Sequence, residues 1–204
     1  MSDTGIAMKL TVEELKKLGY DLTSMNALEL FARTGGWQTE QYAKEVSNVT
    51  AWEIDKSFQK DLENNLPPGS HIEIGNSHEL IKKTRQRYKL IVSDNPMGCY
   101  GNYCEHFDIL DDVFNVMSDK AILCLNVKTK PFNYDNKKQW QKRRNHFYNR
   151  KDASNLSKDF VVNFYKDFAE KKNKKVSHVI WKKRPQEEGL YLLTLCIEEI
   201  KCTS

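Results

Sequence analysis

Apolar positions gather into short runs of strand length at 27–32 (ALELFA), 48–54 (NVTAWEI), 70–75 (SHIEIG), 88–93 (YKLIVS) and 120–127 (KAILCLNV). Between them the pattern lengthens to the repeat of amphipathic helices, near 37–46, 56–64, 77–86 and 104–117. Ahead of the first run, residues 8–20 (MKLTVEELKKLGY) set Thr11 and Glu14 at helix-start spacing with a glycine near the end, which predicts an N-terminal helix. Strand and helix alternating through short connections predict a mostly parallel sheet with helices on both faces. Such a sheet takes its ligands at the carboxyl ends of the strands, where the winding reverses. The end of the chain breaks the rhythm. A helix pattern at 158–172 leads into runs at 176–183 and 190–199 around the turn RPQEEG, which predicts an antiparallel hairpin. The expected fold is a single α/β domain over 1–204 with seven strands. The stretch 128–157 reads as too polar and irregular to be core.

The 204 residues are enough for one domain with a sizeable core, and 39% hydrophobic with 29% charged residues is the balance of a soluble globular chain. No apolar run reaches the roughly 18–20 residues that span a bilayer. The first ten residues lack a basic-then-apolar leader pattern, so a cytoplasmic location is expected. Five cysteines without framework spacing read as reduced thiols. Cys99, Cys104 and His106 are too irregularly spaced for a metal site, and no metal is expected. The net charge is only +4, but 128–158 holds ten Lys or Arg against two Asp, which leaves the rest of the chain at −4. There Lys142, Arg143 and Arg144 interleave with Trp140, Phe147 and Tyr148, a pattern that lets cations meet phosphates while rings stack on bases. The same stretch also fits a solvated lid over a small molecule, or a plain basic helix surface.

Chemistry concentrates at two strand ends. LELFARTGG (28–36) puts Glu29 inside an apolar strand and follows it with a small-residue turn. Glycines let a ligand approach the backbone, and free N–H groups at a helix start meet polar or anionic groups. Glu53 ends the next strand, 24 residues beyond Glu29, where a carboxylate can accept from both ribose hydroxyls. Glu53 and Asp55 fit the start of a helix equally well.

The run from Glu29 through Phe31, Ala32 and Arg33 to Gly35 and Gly36 resembles the first motif of class I, Rossmann-like S-adenosylmethionine-dependent methyltransferases, in the form E-L-F-A-G-T-G common among nucleic-acid-modifying members. The order of strands, helices and terminal hairpin is similar from about residue 25 onward. The resemblance implies S-adenosylmethionine as cofactor. Phe31, Ala32, Gly35 and Gly36 would lie along its methionine and ribose, Glu53 on the ribose and Ile54 on the adenine. Asn76 and Ser77, in IGNSHEL, stand where the family has its third motif. Arg33 departs from the family's glycine, and would point outward or pair with the cofactor carboxylate. At 91–103 (IVSDNPMGCYGNY), Asp94, Asn95 and Pro96 resemble the motif with which the family's amino-methylating enzymes hold a target amine, although Met97 replaces its aromatic. Tyr100 or Tyr103 would then supply the stacking face. Without the resemblance, SDNPMG also reads as a turn. The expected activity is in-line methyl transfer to an amino group of a DNA or RNA base. The alternatives are a small-molecule or protein methyltransferase, or a noncatalytic cofactor-binding subunit. Oligomeric state is not legible in the sequence.

Overall fold

The computed structural model describes residues 5–200. Its central sheet has seven strands, β1 (Asn26–Leu30), β2 (Asn48–Glu53), β3 (His71–Ile74), β4 (Tyr88–Ser93), β7 (Met117–Lys128), β8 (Lys174–Lys183) and β9 (Leu190–Glu199). They lie in the order β3-β2-β1-β4-β7-β9-β8, parallel as far as β7. β9 inserts antiparallel between β7 and β8, as the terminal hairpin predicts. The winding reverses between β1 and β4, so the carboxyl ends of these two strands flank the natural ligand crevice.

Alternation along the buried strands splits the core in two. Leu28, Leu30, Ile91, Leu123 and Leu125 face one layer with α5 (Leu110–Asn115) and α7 (Lys158–Glu170). Ala27, Ala51, Val92, Ile122 and Cys124 face the other, with α1 (Ile6–Lys17), Tyr42 of α2 (Thr39–Tyr42) and Leu62 of α3 (Gln59–Asn65). Both faces of the parallel strands are covered, which explains their nearly continuous apolar runs. Glu29, between Leu28 and Leu30, therefore points into the second layer.

Several local expectations change. Helix α1 begins earlier, at Ile6, because Ala7 and Met8 already belong to its buried stripe. Thr11 is consequently inside the helix, and its hydroxyl donates to the Ala7 carbonyl at 2.9 Å instead of capping. The helices expected at 37–46 and 104–117 shorten to α2 and α5, since buried side chains from both stretches pack as loops. A small hairpin that the hydrophobic pattern does not announce, β5 (Cys99–Tyr100) and β6 (Tyr103–Cys104), follows β4.

The largest correction concerns 128–158. Far from being outside the core, this segment forms α6 (Lys138–Phe147) and buries Tyr134, Trp140, Arg144, Tyr148, Ala153 and Leu156. Arg144 is fully buried because its Nη1 donates to Glu105 Oε1 at 2.7 Å and its Nη2 to the Lys128 carbonyl at 2.6 Å. Trp140 Nε1 donates to the same Glu105 oxygen, at 2.6 Å. A charge is tolerated in the interior only when paired and hydrogen-bonded, and Glu105 supplies both.

Candidate functional site

The turn after β1 reverses the chain through three residues with positive φ, Phe31 (59°), Arg33 (50°) and Gly35 (67°). Gly35 is required by packing as well as by φ, because a Cβ there would meet Leu62 and Leu66 at 3.1–3.4 Å. The turn is locked to the end of β2 by Glu53. Its Oε2 accepts from the Arg33 backbone N–H at 2.6 Å, and its Oε1 from the Asp55 N–H at 2.8 Å. Asp55 separately caps the short helical turn 56–58 through Ser57 N–H. Glu53 and Asp55 thus divide the two roles that the sequence left open. The Arg33 guanidinium points outward and lies 4.7 Å above the Trp37 ring. At the end of β3, Asn76 caps α4 (Ser77–Lys83) by accepting from the His78 N–H at 3.0 Å.

Beyond β4 the polar side chains converge. Asp94 Oδ1 accepts from Arg184 Nη1 at 2.8 Å, from Gln38 Nε2 at 3.3 Å, and from Asn126 Nδ2. Asn126 Oδ1 in turn accepts from Arg184 Nη1 at 2.6 Å and Gln38 Nε2 at 3.2 Å. Four segments, after β1, β4 and β8 and within β7, therefore meet in one network. The buried Asn95 accepts from the Ser93 hydroxyl at 3.3 Å, which braces the turn from below. Behind the network, the Tyr42 hydroxyl donates to Glu29 Oε2. Burial holds the Glu29 carboxyl well above its ordinary range, with the Tyr42 hydrogen bond opposing the shift.

These strand ends open on a cavity of about 790 Å³. Glu53, Ile54, Asn76 and Ser77 line one side; Asp94, Asn95, Pro96 and Met97 line another, with Asn126 and Arg184. Phe31, His78, Tyr100 and Tyr103 make an aromatic wall: His78 stacks on Tyr103 with ring centroids 3.6 Å apart, and the Tyr100 hydroxyl lies 3.3 Å from His78 Nε2. Burial pushes the His78 imidazole below its ordinary pKa and the Tyr100 hydroxyl above its own. Arg33 and Trp37 stand at the exposed edge.

The structure brings together most of the residues singled out by sequence, but not all. Glu29, Ala32, Gly35 and Gly36 shape the turn from behind and do not line the cavity. Trp140 and Arg144 are corrected from substrate contacts to interior residues, because Glu105 draws both inward. Arg143 pairs with Asp108 and is part-buried, whereas Lys142 is exposed; neither lines the cavity. Sequence reasoning missed Gln38, His78, Asn126 and Arg184. Only Asn126 carried a signal, as the polar interruption of the apolar run AILCLNV.

No protein-family model matches the sequence, and no curated protein matches it either. Solved structures do share its shape. Trm1 from Pyrococcus horikoshii in complex with S-adenosyl-L-methionine superposes with a TM-score of 0.67 at 12% identity, over 98% of this chain and 56% of that one. TYW2 from M. jannaschii in complex with AdoMet gives 0.57 at 15% identity, over 93% and 76%. The tRNA m1G37 methyltransferase of M. jannaschii gives 0.54 at 12% identity, over 95% and 50%. With the strand order, the terminal hairpin and the position of the cavity already described, these likenesses establish that the chain has the Rossmann-like fold of the class I methyltransferases.

Proposed function

We propose that this protein is an S-adenosylmethionine-dependent methyltransferase acting on an amino group of a nucleic-acid base. One observation carries the reading. A carboxylate at the end of β2, Glu53, and a polar turn at the end of β4, Asp94 to Pro96, line the same cavity at the point where the winding reverses.

The residues present fit the cofactor. Both Glu53 oxygens are fixed by backbone N–H groups, yet a carboxylate has about four lone-pair sites, which leaves each oxygen able to accept a ribose hydroxyl. Ile54, 67% exposed, offers an apolar face to an adenine, and Asn76 offers amide groups at its edge. The cavity volume lies within the roughly 300–1,000 Å³ usual for such ligands. When bound, S-adenosylmethionine supplies an electrophilic methyl group. The remaining task for the chain is to position a nitrogen and to stabilise the positive charge it acquires. Asp94 suits this task. Arg184, Gln38 and Asn126 fix its Oδ1 in place, so the carboxylate is held ready for a target amine. Its pairing with Arg184 keeps the local charge near neutral. That favours a neutral amino group with an available lone pair, as on a nucleobase, over an ammonium ion. Phe31, Tyr100 and Tyr103 offer rings on which a planar base can stack.

Support for a nucleic acid also comes from exposed cations in the segment after β7. Lys130 packs against Gly189, next to the cavity-lining Leu190, and Phe132, Lys137 and Lys138 follow it with exposed side chains. The neighbours in complex with the cofactor and the tRNA methyltransferase named above support a methyltransferase that acts on nucleic acid, while the choice of an amino group rests on the Asp94 turn. The burial of Trp140 and Arg144 favours, as a second reading, a small-molecule substrate. Titration calorimetry with S-adenosylmethionine tests the shared premise, and no binding at hundreds of micromolar would overturn it. Radiolabelled methyl transfer to DNA, RNA, protein and metabolite pools then distinguishes the substrates; label confined to small metabolites would replace the first reading by the second.

A further inference from the structure

Tyr100 and Tyr103 reach the cavity from the β5–β6 hairpin, and the same hairpin carries two thiols. Cys99 and Cys104 stand directly opposite one another in its register, with their Sγ atoms 3.0 Å apart. The Glu105 N–H donates to the Gly98 carbonyl at 2.9 Å, so the next pair along, Cys99 and Cys104, falls at a non-hydrogen-bonded position of the ladder. At such positions the Cα atoms lie about 4.5 Å apart, within the roughly 4.4–6.8 Å that a disulfide spans. Closing to a bond of about 2.05 Å asks the sulfurs to approach by only about 1 Å. The pair packs with Tyr134 and Trp140; Cys104 is buried there and Cys99 is half-buried.

We propose that Cys99 and Cys104 form a reversible dithiol–disulfide site, with a low-molecular-weight disulfide as oxidant, that stiffens the hairpin presenting Tyr100 and Tyr103 to the cavity. Cys99 is the accessible member and attacks first, as a thiolate, having released its proton to solvent. Its Sγ bonds to one sulfur of the oxidant, whose S–S bond breaks and releases a thiolate. Cys104 then releases its proton and attacks the Cys99 sulfur; the intramolecular bond forms, the mixed disulfide breaks, and a second thiolate leaves. Two electrons pass from the protein to the oxidant, and the two protons end on the two small thiols. Burial pushes the Cys104 thiol well up, consistent with Cys99 acting first. Gly98 and Gly101, with φ of 130° and 54°, allow the reduced hairpin to hinge at its base and tip. The cross-link ties its two strands between them. This inference does not depend on the cofactor reading.

The test equilibrates the full chain in graded mixtures of reduced and oxidised glutathione, followed by alkylation, tryptic mapping and amide exchange. Both cysteines lie in the peptide 90–120, bounded by Lys89 and Lys120. The expected result is a joint loss of both alkylation sites, with that peptide lighter by two hydrogens, reversed by dithiothreitol and absent in Cys99→Ser. Amides 98–105 should then exchange roughly tenfold more slowly in the oxidised protein. A glutathione adduct on Cys99 with Cys104 still alkylated would overturn the proposal. So would an oxidised pair whose hairpin amides exchange as fast as the reduced ones.

Discussion

At the scale of single residues, Arg33 shows how a turn can use a residue's backbone and leave its side chain at the surface. What the turn uses there is a backbone N–H directed at Glu53, while the guanidinium rests on Trp37. Arg33→Gly should therefore leave affinity for S-adenosylmethionine within about threefold by calorimetry, because the backbone hydrogen bond survives. Removing the positive-φ cost of a non-glycine residue, about 1–2 kcal/mol, is offset by the extra freedom of glycine in the unfolded chain. On the proposed function, Asp94→Ala should lower kcat about 10²–10³-fold in a methyl-transfer assay and leave cofactor affinity nearly unchanged, since its carboxylate would then face the target nitrogen. Loss of both together would assign Asp94 to cofactor binding instead. Glu29 was legible as an anomaly within an apolar strand, but its partner was not, because Tyr42 lies in a short helix after the turn. Its raised pKa means that the folded state holds the proton more tightly than the unfolded chain. The stability it contributes is complete below the ordinary glutamate pKa and is lost as pH rises toward the folded value. Glu29→Gln should remove that loss, raising the urea midpoint at pH 7.5 relative to wild type while matching it near pH 4.

At the scale of elements, the sheet was legible because strands buried on both faces must be continuously apolar, and all seven runs did become strands. Helix α6 was not, because its exposed cations dominate its composition and only every third or fourth residue turns inward. Glu105, itself fully buried, pins α6 to the loop after the β5–β6 hairpin through Trp140 and Arg144. Arg144→Ala leaves that carboxylate without its cation and should cost about 3–5 kcal/mol by chemical denaturation. Lys142→Ala, on the exposed face of the same helix, should change stability by less than about 0.5 kcal/mol. Equal effects at the two positions would contradict the assignment of Arg144 to the interior.

At the scale of the whole molecule, two opposing pH dependences meet. His106 is buried against Tyr165, and burial, with Arg144 adding to it, lowers its pKa to about 3. Its folded value lies below the unfolded one, so the stability it contributes is complete above about pH 6.5 and is lost as pH falls toward 3. In Glu29→Gln, where the opposing dependence is removed, stability read from urea denaturation should therefore begin to fall near pH 6, before the carboxylates titrate, with a slope approaching about 1.4 kcal/mol per pH unit. The charge distribution makes a separate prediction. If a nucleic acid lies across the cavity mouth, its affinity should fall steeply with salt. Substituting Lys137, Lys138 and Lys142 by Gln should then reduce the slope of log K against log salt by up to about one for each phosphate left unneutralised. A slope unaltered by all three changes would place the substrate elsewhere.

By itself the sequence determined the strands, their alternation with helices, the closing hairpin and the acidic residue at the end of β2. Each of these depends on periodicity or spacing within a short stretch, which local sequence records directly. Only the tertiary structure decided which side chains meet at Asp94. Gln38 lies 88 residues before Asn126, and Asn126 lies 58 before Arg184; the strand order β1-β4-β7-β9-β8 alone makes them neighbours. It also decided the fate of the basic segment. Whether an arginine faces phosphate or core depends on whether a distant segment brings it a buried carboxylate, and here Glu105 does so for Arg144.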